Sequence, residues 1–348
     1  MAYDRVVDSS ALDAGLKRIA DVIRSKTLTE EALGFPGGMA DEAEKIRPGY
    51  SAPKMAAIAE RTEEVVLDEG LTSIPAYAYR NRADITIAKL PDSITNIGDY
   101  AFRNCANITL EKLPDGLTTV GPSAFQGCGN LMLNALPDRL TYIGIGSFGN
   151  CVNITLNALP DGIKSIGTNA FAGCANITLE RLPDGLTSIG NGAFQNCGNL
   201  MLNALPDGVT YINNSTFANC VNITLEKLPD GLTDIGSAAF QECANLSLKA
   251  LPDGVTRIGG NAFYNCGNIT LDTLPEKLEF IGSEAFYNCI GLTKITFKGK
   301  PKNTVSAAAF NGCSNLHTIN VPWAEGEVAG APWGANGATI NYNYTGEA

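Results

Sequence analysis

The sequence has no long hydrophobic run. No apolar stretch approaches the roughly 18 residues that a membrane-spanning helix needs, although hydrophobic residues make up 45% of the 348 residues. Charged residues are spread from Asp4 to Arg18, so the N-terminus lacks the uninterrupted apolar core of a secretory signal. We therefore expect no membrane insertion. Export by another route, a trimmed N-terminus and a protein that never enters the general secretion pathway all remain open.

An excess of positive charge and catalytic signatures are also missing. The formal net charge is −11 at pH 7, whereas nucleic acid and anionic membrane surfaces both require a basic face. Neither is expected as a partner.

The chain has one histidine, His317, and no nucleophile, zinc-protease, phosphate-loop or dinucleotide motif. The sequence therefore indicates a protein that is not an enzyme, with no cofactor and no metal site.

What the sequence does contain is a short repeat. Its ten cysteines fall in one register at a constant interval, and only the last interval is longer, by a single position. They are Cys105, Cys128, Cys151, Cys174, Cys197, Cys220, Cys243, Cys266, Cys289 and Cys313. Self-similarity at a fixed short period is typical of a solenoid, in which each repeat is one coil stacked on its neighbours.

The regular spacing favours buried thiols over zinc sites or a disulfide framework. Zinc ligands come in pairs two to four residues apart, and disulfides cross-link distant segments at irregular spacings. Each cysteine here instead follows a phenylalanine by three residues, from Phe102 to Phe310. We predict an internal column of reduced thiols. Because coils stack about 5 Å apart, a bridge between neighbouring cysteines stays open as an alternative.

One coil, residues 113–135, shows the expected local structure. Pro114-Asp115-Gly116 has turn chemistry, and Leu-Thr-Thr-Val-Gly at 117–121 predicts a short strand. Ser-Ala-Phe-Gln-Gly-Cys at 123–128 predicts a single helical or 3-10 turn. Asn-Leu-Met-Leu at 130–133 predicts a second short strand whose two leucines share one face.

Asparagine and aspartate are nearly as regular as cysteine. Asn lies two residues after nine of the cysteines, and we expect these side chains to face inward and bond between coils. Triplets such as Asn107-Ile108-Thr109 are then part of the repeat rather than glycosylation sites.

A carboxylate recurs at one turn position from Glu69 to Glu276. We expect a solvated row held by Asx-type bonds rather than a calcium stripe.

These residues carry a family resemblance. The run Cys-x-Asn-Leu/Ile, Leu-Pro-Asp-Gly-Leu-Thr-x-Ile-Gly and Ala-Phe-x-x-Cys resembles the BspA-like leucine-rich repeats of bacterial surface proteins, over about residues 67–322. The resemblance implies a leucine-rich-repeat solenoid. One departure concerns strand register: the family places apolar residues three, six and eight positions after Cys, as in the last coil, whereas the inner repeats use three, five and eight.

The ends of the chain predict separate segments. We expect an N-terminal helical segment over 1–50, a linker or N-terminal cap over 51–66, the solenoid over 67–322 and a C-terminal cap or strand extension over 323–348. The helices either cap the array or dock another chain, so an oligomer could form through them. Short stretches at both ends resemble tail-associated proteins of phages and prophages from gut Firmicutes.

Aromatic residues provide the candidate binding sites. The identity of the residue after Cys repeats every third coil, which indicates that the array grew by copying triplets of coils. Tyr142, Tyr211 and Phe280 share one slot at this three-coil period, and Tyr264 and Tyr287 share another slot one coil apart. Such rows could stack on sugars or anchor a protein. They could equally be inherited copies without a selected role.

The combined prediction is an α/β right-handed leucine-rich-repeat solenoid of about eleven 23-residue coils, built of short strands and 3-10 or helical turns, with N-terminal helices. Its leading function is non-catalytic binding or adhesion to a protein or glycan ligand on a cell surface. The protein would act extracellularly or on a virion surface. The alternative is a structural spacer that assembles through its N-terminal helices.

Overall fold

A computed structural model describes residues 63–346 of the chain. They form a right-handed solenoid of about twelve turns, each about 23 residues long. Because the predicted helices at 1–50 and most of the segment at 51–66 lie outside the described residues, they stay predictions. No residue from 63 to 346 is helical, and none of that part forms a helix able to cross a membrane.

Sixteen short strands line two edges of the coils. In chain order they are β1 (Glu63–Glu64), β2 (Ser73–Ile74), β3 (Ile85–Thr86), β4 (Asn96–Ile97), β5 (Thr119–Val120), β6 (Tyr142–Ile143), β7 (Ser165–Ile166), β8 (Ser188–Ile189), β9 (Tyr211–Ile212), β10 (Asp234–Ile235), β11 (Arg257–Ile258), β12 (Thr273–Leu274), β13 (Phe280–Ile281), β14 (Lys294–Phe297), β15 (Thr318–Asn320) and β16 (Thr339–Asn341). All pair in parallel with the equivalent strand of a neighbouring coil.

The first edge contains the predicted Leu-Thr-x-Ile-Gly strand, which is confirmed. Its strands form three sheets, β2-β4-β5, β6-β7-β8 and β9-β10-β11-β13. In each strand the second residue is buried and the first points outward, as with Val120 and Thr119. The sheets are interrupted before β6 and before β9, three coils apart, whereas the pairing continues at β13, three coils further on.

The second edge forms regular strands only near the two ends. Its sheets are β1-β3 and β12-β14-β15-β16. The inner Asn-Leu-Met-Leu segments are not strands, and they join neighbouring coils through single bonds such as Met132 N to Leu110 O at 3.0 Å. The prediction of a second strand in every coil is therefore wrong.

The spacing of apolar residues after Cys differs between β14 and the inner coils, although the two-residue strand β12 forms in a coil with the inner spacing. In β14, Ile295 and Phe297 are the sixth and eighth residues after Cys289 and alternate inward with period two, as a strand requires. Inner coils bury the third, fifth and eighth residues instead, as at Ile108, Leu110 and Leu113. The step of three positions from Leu110 to Leu113 does not match the alternation of a strand, so a strand as long as β14 does not form there.

The Ala-Phe-x-x-Cys segment is a ladder of turns rather than a helix. Alternate N–H groups donate to the next coil: Ser123, Phe125 and Gly127 reach carbonyls of residues 145, 147 and 149 at 2.7–2.8 Å. The intervening N–H groups donate three residues back along the same coil, as Cys128 does to Phe125 at 3.1 Å. A helix would direct all these N–H groups into its own coil, so the predicted turn does not form as a helix, and only its single bonds three residues back are of the 3-10 type.

This alternation demands two left-handed residues in each inner coil. One lies two residues before Phe and the other directly before Cys, as Ser123 (φ 52°) and Gly127 (φ 76°) do. The slot before Cys holds Asn or Gly in every coil except that of Glu242, and these are the residues that best tolerate positive φ. Asn also bonds along the column, as Asn219 Nδ2 donates to Asn196 Oδ1 at 2.8 Å.

The core is a column of stacked rings. It starts at Tyr79 and continues through the phenylalanine of every coil to Phe310, with all of these rings at most 1% exposed. Neighbouring ring centroids are 5.2–5.8 Å apart and the planes differ by 3–14°. In the first coil, Tyr79 takes the place that phenylalanine holds in the later coils.

Aromatic residues also close the C-terminal end of the column. Trp323 and Trp333 are 4% and 0% exposed, and both lie against Phe297 with centroid distances of 5.3 and 5.5 Å. Trp333 Nε1 donates to Ala329 O at 2.9 Å. Strand β16 then pairs with β15, so one edge of the array continues beyond the last cysteine and the count rises from the expected eleven turns to about twelve.

The left-handed slot supplies a stability test. We expect Asn219→Ala to lower the free energy of unfolding by about 1–2 kcal/mol, because alanine adopts positive φ at a cost and cannot bond to Asn196. Asn219→Gly loses the same bond, but glycine adopts positive φ without strain, so its free energy of unfolding should fall less than that of Asn219→Ala. Urea denaturation followed by circular dichroism measures both. Equal stability of the two variants would contradict the positive φ that the structure gives residue 219.

Candidate binding surfaces

Tyr142, Tyr211 and Phe280 lie on the outward side of the first edge. Each is the first residue of its strand, β6, β9 or β13, and its neighbour in the strand is buried. Tyr142 and Tyr211 are 45% and 57% exposed. Phe280 is half-buried, because the Arg257 guanidinium lies 4.8 Å from the centre of its ring. The three rings therefore share one column but are not equally accessible.

The intervening coils keep these rings apart. Between Tyr142 and Tyr211 the column holds Ser165 and Ser188, and between Tyr211 and Phe280 it holds Asp234 and Arg257. At about 4.8 Å per coil, successive rings are about 14 Å apart. The row is thus a series of single aromatic residues on a polar strand face rather than one apolar patch.

Tyr264 and Tyr287 are brought into direct contact. Their ring centroids are 4.5 Å apart and the planes differ by 8°. Both side chains follow a core phenylalanine by one residue and are half-exposed. Desolvation raises the pKa of the Tyr264 hydroxyl, and Tyr287, Glu284 and Glu242 raise it further. We call Glu242, Tyr264, Glu284 and Tyr287 the Tyr–Glu patch.

A second aromatic cluster was not among the sequence-based candidates. Tyr77 and Tyr100 stack with centroids 5.1 Å apart. The Arg80 guanidinium lies 5.6 Å from both ring centres, and that of Arg103 lies 5.5 Å from Tyr100. We call these four residues the Tyr–Arg patch. Its signal was in the sequence, since Tyr two residues before the core ring and Arg one residue after it recur in two successive coils.

The asparagines after Cys do not face inward as predicted. All nine are exposed or half-exposed, because the backbone turns outward between the buried Cys and the buried residue three positions later. Their expected bonds between coils do occur: Asn107 Nδ2 donates to Ala83 O at 2.6 Å, and Asn315 Nδ2 donates to Ile290 O at 2.8 Å. The Asn-x-Thr/Ser triplets are consequently on the surface.

The cysteine column is internal and reduced, as predicted. All ten thiols are free and buried. Each sulfur donates to a carbonyl in the preceding coil, as Cys174 Sγ does to Phe148 O at 3.0 Å. Burial raises the pKa of Cys105 and Cys313 to about 11, and that of Cys174 and Cys243 to about 12. A neutral, buried thiol is a poor nucleophile.

Comparison with known families agrees with this geometry. The model of the BspA type leucine rich repeat region matches in six copies, over residues 59–178, 133–247 and 233–325. These matches cover most of the chain. The chain belongs to the BspA-type leucine-rich repeat family.

Solved structures of bacterial leucine-rich-repeat proteins are similar to this BspA-type chain. A protein from Bacteroides ovatus is 24% identical, over 78% of this chain and 87% of its own, with a TM-score of 0.43. A leucine-rich cell surface protein from Faecalibacterium prausnitzii is 21% identical, over 73% and 84%, with a TM-score of 0.45. The pneumococcal vaccine antigen PcpA is 22% identical, over 68% and 61%, with a TM-score of 0.47. Comparison with curated proteins finds no match.

The acidic row of the BspA-type repeats is solvent-exposed. Asp92, Asp115 and Asp184 side chains are 84%, 80% and 97% exposed, and each lies within 4.0 Å of a Lys or Arg three residues earlier. The turn is closed by backbone, with Leu117 N donating to Pro114 O at 3.0 Å. Between residues 63 and 346, three or more His, Cys, Asp or Glu side chains nowhere converge on a common point. His317 is exposed.

The buried thiols predict how stability depends on pH. Unfolded thiols titrate near pH 8.5–9, whereas folded ones keep their protons to about pH 11 or beyond. The thiols therefore stabilise the fold fully below pH 8.5, and this contribution is lost as pH rises above that value. Each thiol contributes up to about 1.4 kcal/mol per pH unit.

We expect the free energy of unfolding to fall steeply between pH 9 and pH 10.5, and less steeply in Cys174→Ala because one retained proton is removed. Urea titrations at each pH measure the two slopes, and their difference cancels the lysines and tyrosines that titrate in the same range. Identical slopes in the two proteins would show that Cys174 does not keep its proton. Thiol reagents should label the native protein only when it unfolds.

Proposed function

We propose that this chain is a non-catalytic binding or adhesion protein, which presents the outward strand face of its solenoid to a protein or glycan ligand. Members of its family are typically non-catalytic repeat scaffolds and are often surface-associated. The observation that carries the proposal is the row of Tyr142, Tyr211 and Phe280, which project from the first residue of their strands at an equal spacing of three coils.

Rigid aromatic side chains are suited to recognition. Tyrosine presents a large apolar ring and a hydroxyl at low cost in side-chain entropy, and hot spots of binding are enriched in it. Because the buried Ile143 and Ile212 hold the strands in place, the rings of Tyr142 and Tyr211 are positioned by the core. Polar serines between them provide hydrogen-bonding groups, as contacts to a polymer of sugars or to a polypeptide require.

The proposed location is outside the cell or on a virion. Both ends of the chain resemble tail-associated phage and prophage proteins, which favours a virion whose solenoid contacts the host surface. A structural spacer is the alternative, and the segment at 1–50 would then be its assembly device. The two functions differ in whether the strand face contacts a ligand.

The strand face can be tested with one triple variant. We expect Tyr142→Ala/Tyr211→Ala/Phe280→Ala to weaken binding to a glycan array or to intact gut Firmicutes cells by at least about tenfold, since buried interface aromatics each contribute strongly. Melting temperature should change little because the rings of Tyr142 and Tyr211 are exposed.

The matched control is Val152→Ala/Val221→Ala/Ile290→Ala. It removes exposed apolar side chains (43%, 40% and 45%) at the same three-coil period, but from the slot after Cys. The control should bind as the parent does. Binding retained by the aromatic variant would overturn the proposed face, and a parent protein that binds neither glycans nor cells would favour the spacer.

A further inference from the structure

The Tyr–Arg and Tyr–Glu patches lie at opposite ends of one longitudinal face. Tyr77, Tyr100 and Glu284 occupy the same slot, two residues before the core ring. Arg80 and Arg103 share the slot of Tyr264 and Tyr287, one residue after that ring. Seven coil steps of 5.3–5.8 Å along the ring column separate the coil of Tyr100 from that of Tyr264.

The charges of the two patches are opposite, and within residues 63–346 they are unpaired. Arg80 and Arg103 form no ion pair within residues 63–346, although Arg82 beside them pairs with Glu63 and Asp84. Arg103 Nε is buried and has no hydrogen-bond acceptor among the described residues. Glu242 and Glu284 likewise have no cationic partner in that part of the chain, and Glu242 only accepts a bond from Asn265 Nδ2 at 2.7 Å.

Nothing charged lies in these two slots between the patches. In the six intervening coils the slot two residues before the core ring holds Ser123, Gly146, Asn169, Gly192, Ser215 and Ala238. The slot after the ring holds only Gly, Ala and Gln there. The face therefore has two bulky aromatic ends of opposite charge joined by a stretch of small, neutral side chains.

We propose that two copies of this chain associate antiparallel through this face, with each Tyr–Arg patch placed on the Tyr–Glu patch of the other copy. An antiparallel twofold arrangement forms both contacts at once and closes the assembly as a dimer. Each contact pairs two guanidinium groups with two carboxylates and two tyrosine stacks with each other. Charge complementarity of this kind sets partner choice and register.

A second copy fits better than an unrelated acidic partner because the same chain carries a complement with an equal number of charges and an equal number of tyrosines. Exposed ion pairs contribute little individually and are screened by salt. The dimer is therefore weak and salt-sensitive. We expect its dissociation constant to rise at least about tenfold when NaCl is raised from 50 to 500 mM.

Two charge-reversed forms of the full chain test the pairing. Arg80→Glu/Arg103→Glu has acidic patches at both ends, and Glu242→Arg/Glu284→Arg has basic patches at both ends. We expect the parent to dimerise in sedimentation equilibrium at 50 mM NaCl, and each variant alone to dimerise at least about tenfold more weakly. An equimolar mixture of the two variants should form a heterodimer of near-parent affinity.

The control reverses equivalent charges elsewhere, in Lys112→Glu/Arg181→Glu, and should dimerise as the parent does. Circular dichroism of every variant confirms that it folds. A monomeric parent at all concentrations, variants that dimerise like the parent, or a mixture that stays monomeric would each overturn the proposal. Parent-like variants would place self-association on another surface. None of these outcomes bears on the aromatic row of the strand face, which has its own variant.

Discussion

The structure depends on the backbone hydrogen bonds that join each coil to the next. In the Ala-Phe-x-x-Cys segment every second N–H donates to the following coil, and the short parallel strands add further bonds at the first edge. These bonds hold equivalent residues about 5 Å apart along the whole array. As a result, each slot of the repeat becomes a column: rings stack on rings, thiols lie above thiols, and Asn bonds to Asn.

The same constraint treats inward and outward columns differently. The ring and thiol columns keep one residue type in nearly every coil, and the other inward columns hold Leu, Ile or Val, because large changes of volume would disturb the coils above and below. Outward columns tolerate different residues in different coils. The distance between two outward tyrosines, arginines or glutamates is then set by the number of coils that separate them. The strand face therefore carries single aromatic residues among polar ones, whereas the Ala-Phe-x-x-Cys segments carry two aromatic patches of opposite charge.

Prediction from sequence succeeded where a residue's slot determined its burial. The thiol column and the Leu-Thr-x-Ile-Gly strand followed from period and polarity alone. It failed for the Asn two residues after Cys, because a regular polar residue can bond between coils from the surface as well as from the interior. It also failed for the helical turn, since the choice between bonding within a coil and bonding to the next coil depends on where the next coil lies.

The sequence by itself determined the solenoid, its period, the inward residues and the triplet copying, because each of these is a pattern along the chain. Only the tertiary structure decided which outward residues meet. The stacking of Tyr77 on Tyr100 under Arg80, the cover that Arg257 gives Phe280, and the placement of opposite charges on one face all join residues of different coils. Their contacts depend on how coils stack and on which rotamers the neighbours leave open.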